Sequence, residues 1–280
     1  LIREFVPWAR RRAKARDKQV HFSMTSNLTL WTDEIRQFVD DYGFGVLMSI
    51  DGCPDVQDAQ RPAHNGKMVS QLVEKWAKSM LRTRPLSQAR STLTPNYAHR
   101  FYDNVTYLHS IGFCDIIVAT ANYDEWTQEH FDILREQMIA VVDYQIGLLA
   151  SGTPLSICVW SFLISKLIHP RRTGECSNDV QASPCGAGKG YHMVDHEGDI
   201  WPCHRFDGAD EDANEGGAMR LGNIYEPGYN RDLQRAFLEF DHRINHKTSC
   251  NTCPVNEICA GFCPAANLQT TGNIYTPHDA

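Results

Sequence analysis

Seven of the chain's ten cysteines fall between Cys176 and Cys263, and their spacing constrains the fold more than any other feature. Cys176 opens the group; Cys185 is followed by twelve residues, Gly198, four residues and Cys203. A tighter knot, C-x2-C-x5-C-x3-C, is built from Cys250, Cys253, Cys259 and Cys263. Thiolates at such separations converge on one soft metal centre, because the turns between them bring the sulfurs together. The C-x2-C pair alone is the mark of a structural zinc site or of a disulfide frame. Seven thiols in two linked groups, with Pro254 and Pro264 directly behind two of them, point instead to iron–sulfur clusters.

The rest of the composition narrows the class. A hydrophobic fraction of 42% and a charged fraction of 22% are those of a soluble globular protein. A net charge of −7 argues against a general nucleic-acid binder, which carries a basic excess. No apolar run reaches membrane-spanning length and no signal peptide opens the chain. Ten cysteines without a secretory signal imply a reducing cytoplasm, where thiols serve metals. The chain opens at Leu1 rather than Met and reads as a fragment.

Ahead of the cysteines the pattern is one of alternating strands and helices. Residues 1–19 have helical spacing and a solvated basic face carrying Arg10, Arg11, Arg12, Lys14, Arg16 and Lys18, with Pro7 marking a kink or a first turn. Strands are expected over Val20 to Met24, Gly45 to Ile50, Arg90 to Leu93 and Cys114 to Ala119. Helices are expected from Thr32 to Tyr42, Met68 to Leu81, Tyr97 to Ile111 and Trp126 to Leu149, with a loop rich in Asp and Pro between Asp51 and Gly66. Such alternation builds βαβ units on a parallel sheet, with functional residues at the C-terminal ends of the strands. Pro154 to Ile168 is apolar enough for a buried helix in which Cys158 is a packing residue, as Cys114 is at its strand start; Cys53 is a loop thiol. Tyr191 to Val194 and Ile200 to Trp201 flank His196-Glu197-Gly198-Asp199 as a hairpin, which sets Cys185 near Cys203. Asp207 to Gly217 is an acidic, solvated loop whose spacing fits no EF-hand, and Asp232 to Phe240 is helical.

The cysteine pattern, with Cys185-Gly186-Ala187-Gly188, Gly198-Asp199-Ile200-Trp201-Pro202-Cys203-His204 and Leu221-Gly222-Asn223-Ile224, resembles the SPASM domain of radical S-adenosylmethionine (radical SAM) enzymes. One further, distant cysteine of that signature does not occur before Ala280. The front half is similar to the radical SAM barrel. Thr25-Ser26-Asn27-Leu28-Thr29-Leu30 stands where relatives often have T-N-G-T-L-L, and Ser49-Ile50-Asp51-Gly52 is followed by Arg61 nine residues past the glycine. Gln57 occupies a slot where relatives commonly carry histidine. Neither C-x3-C-x2-C nor G-G-E-P, the marks of the family's first two strands, occurs in these residues. The resemblance therefore implies an α/β fold: a partial TIM-type (β/α)6 barrel over 1–150 with about four of six strands, a connecting helix and linker over 151–175, and a SPASM domain with a β-hairpin over 176–280, truncated at its C-terminus.

The same resemblance implies the chemistry. Asn27, Ser49, Asp51 and Arg61 become cofactor-side contacts, although Asn27 and Asp51 are also ordinary strand-ending turn formers. Two auxiliary 4Fe–4S clusters are implied, one held by Cys176, Cys185, Cys203 and Cys263, the other by Cys250, Cys253 and Cys259 with a fourth ligand beyond Ala280. A third cluster, which reduces S-adenosylmethionine to a 5′-deoxyadenosyl radical, belongs to the missing front strands. The implied activity is oxidative modification of a peptide or protein substrate, with electrons from a donor such as flavodoxin or ferredoxin. The open alternatives are a formylglycine-forming, anaerobic sulfatase-maturating enzyme, an iron–sulfur electron carrier, or a zinc-binding module. In the sulfatase-maturating branch an aspartate base follows the cysteine that Cys203 matches; here that slot is His204, the candidate catalytic residue, or else a partner of a cluster sulfur.

Overall fold

Five parallel strands, in the order in which they occur in the chain, form the first of two units, and every connection returns to the neighbouring strand. The computed structural model describes residues 1–121, 124–158, 186–206, 219–239 and 263–276. Its two compact units are Leu1–Ile164 and Ser165–Ala280.

Unit one begins with α1 (Ile2–Lys14), which runs unbroken through Pro7 and turns Val6 into the core while its arginines face solvent. The first strand, β1, is Ser23–Ser26, three residues later than the apolar run suggests. Phe22 is spent on packing, stacking on Phe44 at 5.3 Å between ring centroids, and its carbonyl accepts Gly45 N–H at 2.9 Å to set the register with β2 (Gly45–Ser49). Between them, α2 (Asp33–Asp41) starts where Thr32 Oγ1 accepts Ile35 N–H at 3.2 Å.

The stretch after β2 is the first departure from expectation. Instead of a long loop it contains α3 (Pro54–Gln60), for which Pro54 at the first helical position and Asp55 in the first turn are the local causes. Helix α4 (Ser70–Thr83), strand β3 (Gln88–Leu93), a 3₁₀ segment over Pro95–Arg100, helix α5 (Phe101–Ser110) and strand β4 (Asp115–Thr120) follow. Helix α6 (Gln128–Ala150) opens with a capping box, in which Thr127 Oγ1 accepts His130 N–H and His130 Nδ1 accepts Thr127 N–H.

The second departure lies just beyond. Ser156–Ile157, in the stretch expected to be helical from Pro154 to Ile168, is a fifth parallel strand, β5, and residues 159–168 of that expectation lie outside the described residues. Leu155 and Ile157 are buried and Ser156 less so, the alternation of a strand, and Cys158 is exposed rather than packed. The unit therefore has five strands where four are expected. Cys114 is half-buried, with its thiol 3.4 Å from the Pro85 carbonyl. The core is one contiguous cluster in which Met48, Ala89 and Ile116 from the central strands meet Val73, Ala77 and Leu108 from the helices.

Unit two contains the expected hairpin, β6 (Met193–Val194) antiparallel to β7 (Asp199–Trp201), joined on its far side by β8 (Gly222–Asn223). Asp195 shapes the turn, accepting Glu197 N–H and Asp199 N–H at 2.9 Å each and Trp201 Nε1–H at 2.8 Å. Gly198 has φ +88°, and a β-carbon there would drive into the Tyr225 ring. Helices α7 (Arg231–Leu238) and α8 (Pro264–Thr271) complete the described part. The acidic stretch 207–217, Phe240 and most of the connecting segment lie outside the described residues. No helix among the described residues is long and apolar enough to cross a membrane.

Met48 is fully buried at the centre of the sheet, whereas Leu86 is 81% exposed. We expect Met48→Ala to cost about 2–5 kcal/mol in urea unfolding and Leu86→Ala less than about 0.5 kcal/mol.

Candidate active site

Strand β2 ends in a buried carboxylate. Asp51 is 1% exposed, and burying it without compensation would cost several kcal/mol. Arg61, at the end of α3, supplies a fork: Nε to Oδ2 at 2.7 Å and Nη2 to Oδ1 at 3.0 Å. Thr92 N–H donates to Oδ1 at 2.9 Å from β3, and Arg61 Nη2 also reaches Thr92 Oγ1 at 3.3 Å. The Asp51 backbone is held as tightly, its N–H donating to Gln57 Oε1 and its carbonyl accepting Ser91 Oγ–H, both at 2.8 Å. Both carboxylate oxygens are thus engaged from within the protein. The Arg61 side chain is itself 32% exposed.

The other two candidates flank this pair. Ser49, buried at the last position of β2, makes no side-chain hydrogen bond among the described residues. Asn27 stands one residue past the Ser26–Met48 pair of the β1–β2 register. It is exposed, and its Oδ1 accepts both Thr29 N–H at 3.2 Å and Thr29 Oγ1–H at 2.9 Å. Leu28, next to it, is fully buried at φ +60°, a left-handed conformation unusual for a branched side chain. Ser26 Oγ supports it by accepting Leu28 N–H at 3.1 Å. The structure therefore brings Ser49, Asp51 and Arg61 together at one strand end and sets Asn27 at the end of the neighbouring strand.

Sequence reasoning did not single out the residues that hold this end in shape. Asp58 fastens α3 to α4, accepting Val69 N–H at 2.6 Å, Ser70 N–H at 2.8 Å and Ser70 Oγ–H at 2.6 Å. Burial pushes its pKa up, but the Ser70 hydroxyl and the two backbone N–H groups outweigh burial and hold it below the usual carboxylate range. Cys53 caps α3, with its thiol 3.5 Å from the Asp103 carbonyl; burial pushes the thiol pKa up despite Arg100 nearby, so it is not an activated nucleophile.

In unit two, the described metal candidates are Cys203 and Cys263; Cys176, Cys185, Cys250, Cys253 and Cys259 lie outside the described residues. Among the described residues no group of three or more His, Cys, Asp or Glu side chains is placed to hold a metal. The two cysteines lie in the same part of this unit. Both belong to one small core with Trp201, Phe206 and Phe237. Cys203 is buried and its sulfur accepts Arg205 N–H at 3.4 Å, while Cys263 caps α8, where the helix dipole favours negative charge. His204 is exposed and pairs with Tyr191, Nδ1 to the phenol oxygen at 2.8 Å.

No family model matches the chain, and no curated protein does. Solved structures do. Native anSMEcpe with bound AdoMet, an anaerobic sulfatase-maturating enzyme, is 17% identical with a TM-score of 0.70, over 95% of this chain and 71% of that one. The same enzyme with AdoMet and the Cp18Cys peptide has a TM-score of 0.72 at 17% identity, over 97% and 75%. Streptococcus suis SuiB bound to precursor peptide SuiA has a TM-score of 0.58 at 15% identity, over 92% of this chain and 58% of SuiB. The fold is a partial radical SAM fold.

Two outcomes follow from the site. Removing Arg61 strands a buried carboxylate, whereas neutralising Asp51 leaves a guanidinium that can turn to water. We expect Arg61→Leu to cost about 3–5 kcal/mol in urea unfolding and Asp51→Asn less, about 1–3 kcal/mol. Asp58→Ala is expected to cost about 1–2 kcal/mol at neutral pH, as for the loss of a helix cap. Because the folded pKa of Asp58 lies below its unfolded value, its contribution is complete above about pH 4 and is lost as pH falls through the folded pKa. The gap between wild type and Asp58→Ala should therefore close in acid; a constant gap from pH 7 to pH 2 would contradict the assignment.

Proposed function

We propose that this chain is the cofactor- and substrate-handling part of a radical SAM oxidoreductase that modifies a peptide. What carries the reading is the combination, in one chain, of the Ser49–Asp51–Arg61 constellation at a strand end and the seven-cysteine pattern behind it. The neighbouring structures support it, since anSMEcpe holds AdoMet and a peptide and SuiB holds its precursor peptide. In this reading the barrel part is 1–150, the linker 151–175 and the auxiliary-cluster part 176–280.

Each residue then has a role. Arg61 presents a fixed positive charge to the carboxylate of S-adenosylmethionine, oriented by Asp51. The Ser49 hydroxyl and the Asn27 amide supply hydrogen bonds along the same sheet end. Cys176, Cys185, Cys203 and Cys263 hold one auxiliary 4Fe–4S cluster, and Cys250, Cys253 and Cys259 hold three corners of another. When bound, the clusters and S-adenosylmethionine supply one-electron chemistry and hydrogen-atom abstraction. His204, tethered by Tyr191, is the group that takes a substrate proton. The substrate is a ribosomally made peptide, the electron donor a flavodoxin or ferredoxin, and the compartment the cytoplasm.

A second reading, conversion of a sulfatase cysteine to formylglycine, is favoured by the higher TM-scores to anSMEcpe than to SuiB. His204 in the aspartate slot argues against it, because an imidazole at neutral pH is a different base from a carboxylate. The two part under one anaerobic assay with dithionite, S-adenosylmethionine and a sulfatase-motif cysteine peptide, read by mass spectrometry. We expect 5′-deoxyadenosine from the protein that also carries a C-x3-C-x2-C segment, none from these 280 residues alone, and no aldehyde on the peptide. An aldehyde product abolished by His204→Ala would establish the second reading instead.

A further inference from the structure

We propose that Asn104 and Gln57 are positioning residues for the Asp51–Arg61 site, which they lock from opposite sides of the turn at the end of β2. The inference rests on the functional reading above for its ligand, but its geometry is independent of it. The turn is Asp51-Gly52-Cys53, and Gly52 has φ +149°, within the range that side chains rarely adopt. A β-carbon on Gly52 would fall inside the Asn104 side chain, so that side chain occupies the space glycine leaves. Asn104 comes from α5 and is 4% exposed, and its Oδ1 accepts Cys53 N–H at 3.0 Å. From the other side, Gln57 of α3 is 2% exposed and its Oε1 accepts Asp51 N–H at 2.8 Å.

Both ends of the one turn are thus tied to buried amides, one on each of two helices. A third tie joins the helices themselves: Arg100 of the 3₁₀ segment reaches Asp55 of α3 at 2.6 Å and Asp103 of α5 at 3.1 Å. Deleting the Gln57 oxygen leaves the buried Asp51 N–H without that acceptor, and deleting the Asn104 oxygen does the same to the part-buried Cys53 N–H. The Gln57 Nε2 amide nitrogen is itself buried without a hydrogen-bond partner among the described residues, so what the side chain contributes here is its oxygen. With the turn free to relax, Asp51 would no longer meet Arg61 and Thr92 in one geometry.

The test has two readouts on the same variants: S-adenosylmethionine binding by calorimetry, and iodoacetamide labelling of Cys53 resolved by peptide mass spectrometry. Asn104→Ala and Gln57→Leu should each weaken binding at least tenfold, and Asn104→Ala should speed Cys53 labelling several-fold. Rescue should follow the acceptor: Asn104→Asp and Gln57→His keep one and should stay within about threefold of wild type, a difference of about 0.6 kcal/mol (RT ≈ 0.59 kcal/mol). Wild-type binding and Cys53 labelling in Asn104→Ala, or failure of both acceptor-keeping variants in folded protein, would overturn the proposal. Binding is measured on the protein that also carries a C-x3-C-x2-C segment; if its wild type binds no S-adenosylmethionine, the functional reading fails, and Cys53 labelling alone then decides whether Asn104 holds the turn.

Discussion

The buried charge of Asp51 is the constraint around which the front unit is arranged. A carboxylate 1% exposed at the end of a central strand must be neutralised where it stands, and each partner comes from a different place in the chain. Arg61 closes α3, Thr92 ends the neighbouring strand, and Gln57 and Ser91 fix the backbone on either side. Strand end, helix end and adjacent strand are therefore one cooperative unit. Disturbing one bond leaves the rest of a buried network unsatisfied, which costs more than a single hydrogen bond is worth.

That arrangement separates anchoring from presentation. The Asp51 oxygens accept from Arg61 and Thr92 inside the protein. Arg61 is the more exposed partner of the pair, its side chain one-third exposed where that of Asp51 is almost wholly covered. Parallel sheets favour this division, because the C-terminal strand ends gather the loops and helix starts that bring polar groups together while the strands below remain apolar and rigid.

The rear unit solves a different problem. Its described core rests on a few large residues, chiefly Trp201 at the end of β7, Phe206 just beyond it and Phe237 on α7. Large side chains from separate elements carry the packing there, as Phe206 and Phe237 do edge to face at 5.5 Å between ring centroids. Cys203 and Cys263 already share that core, although sixty residues separate them in sequence.

The sequence by itself determined the periodicities. The parallel alternation of strands and helices, the hairpin around Gly198, the helix start at Thr32 and the cysteine spacing are all local patterns, read from residues within a few positions of one another. Ser49, Asp51 and Arg61 were singled out by resemblance to a family motif rather than by periodicity, a motif short enough to fit within thirteen consecutive residues. Helix α3 carried its own mark in Pro54, hidden among turn-forming residues, whereas β5 carried none, because Ser156–Ile157 is a strand only by virtue of pairing with β4. Asn104 and Thr92 were equally out of reach. An asparagine in a helix and a threonine in a strand are unremarkable until folding carries them to Cys53 and Asp51. Tertiary structure decided those contacts because a hydrogen bond to a buried group depends on distance in space, and local pattern fixes only distance along the chain.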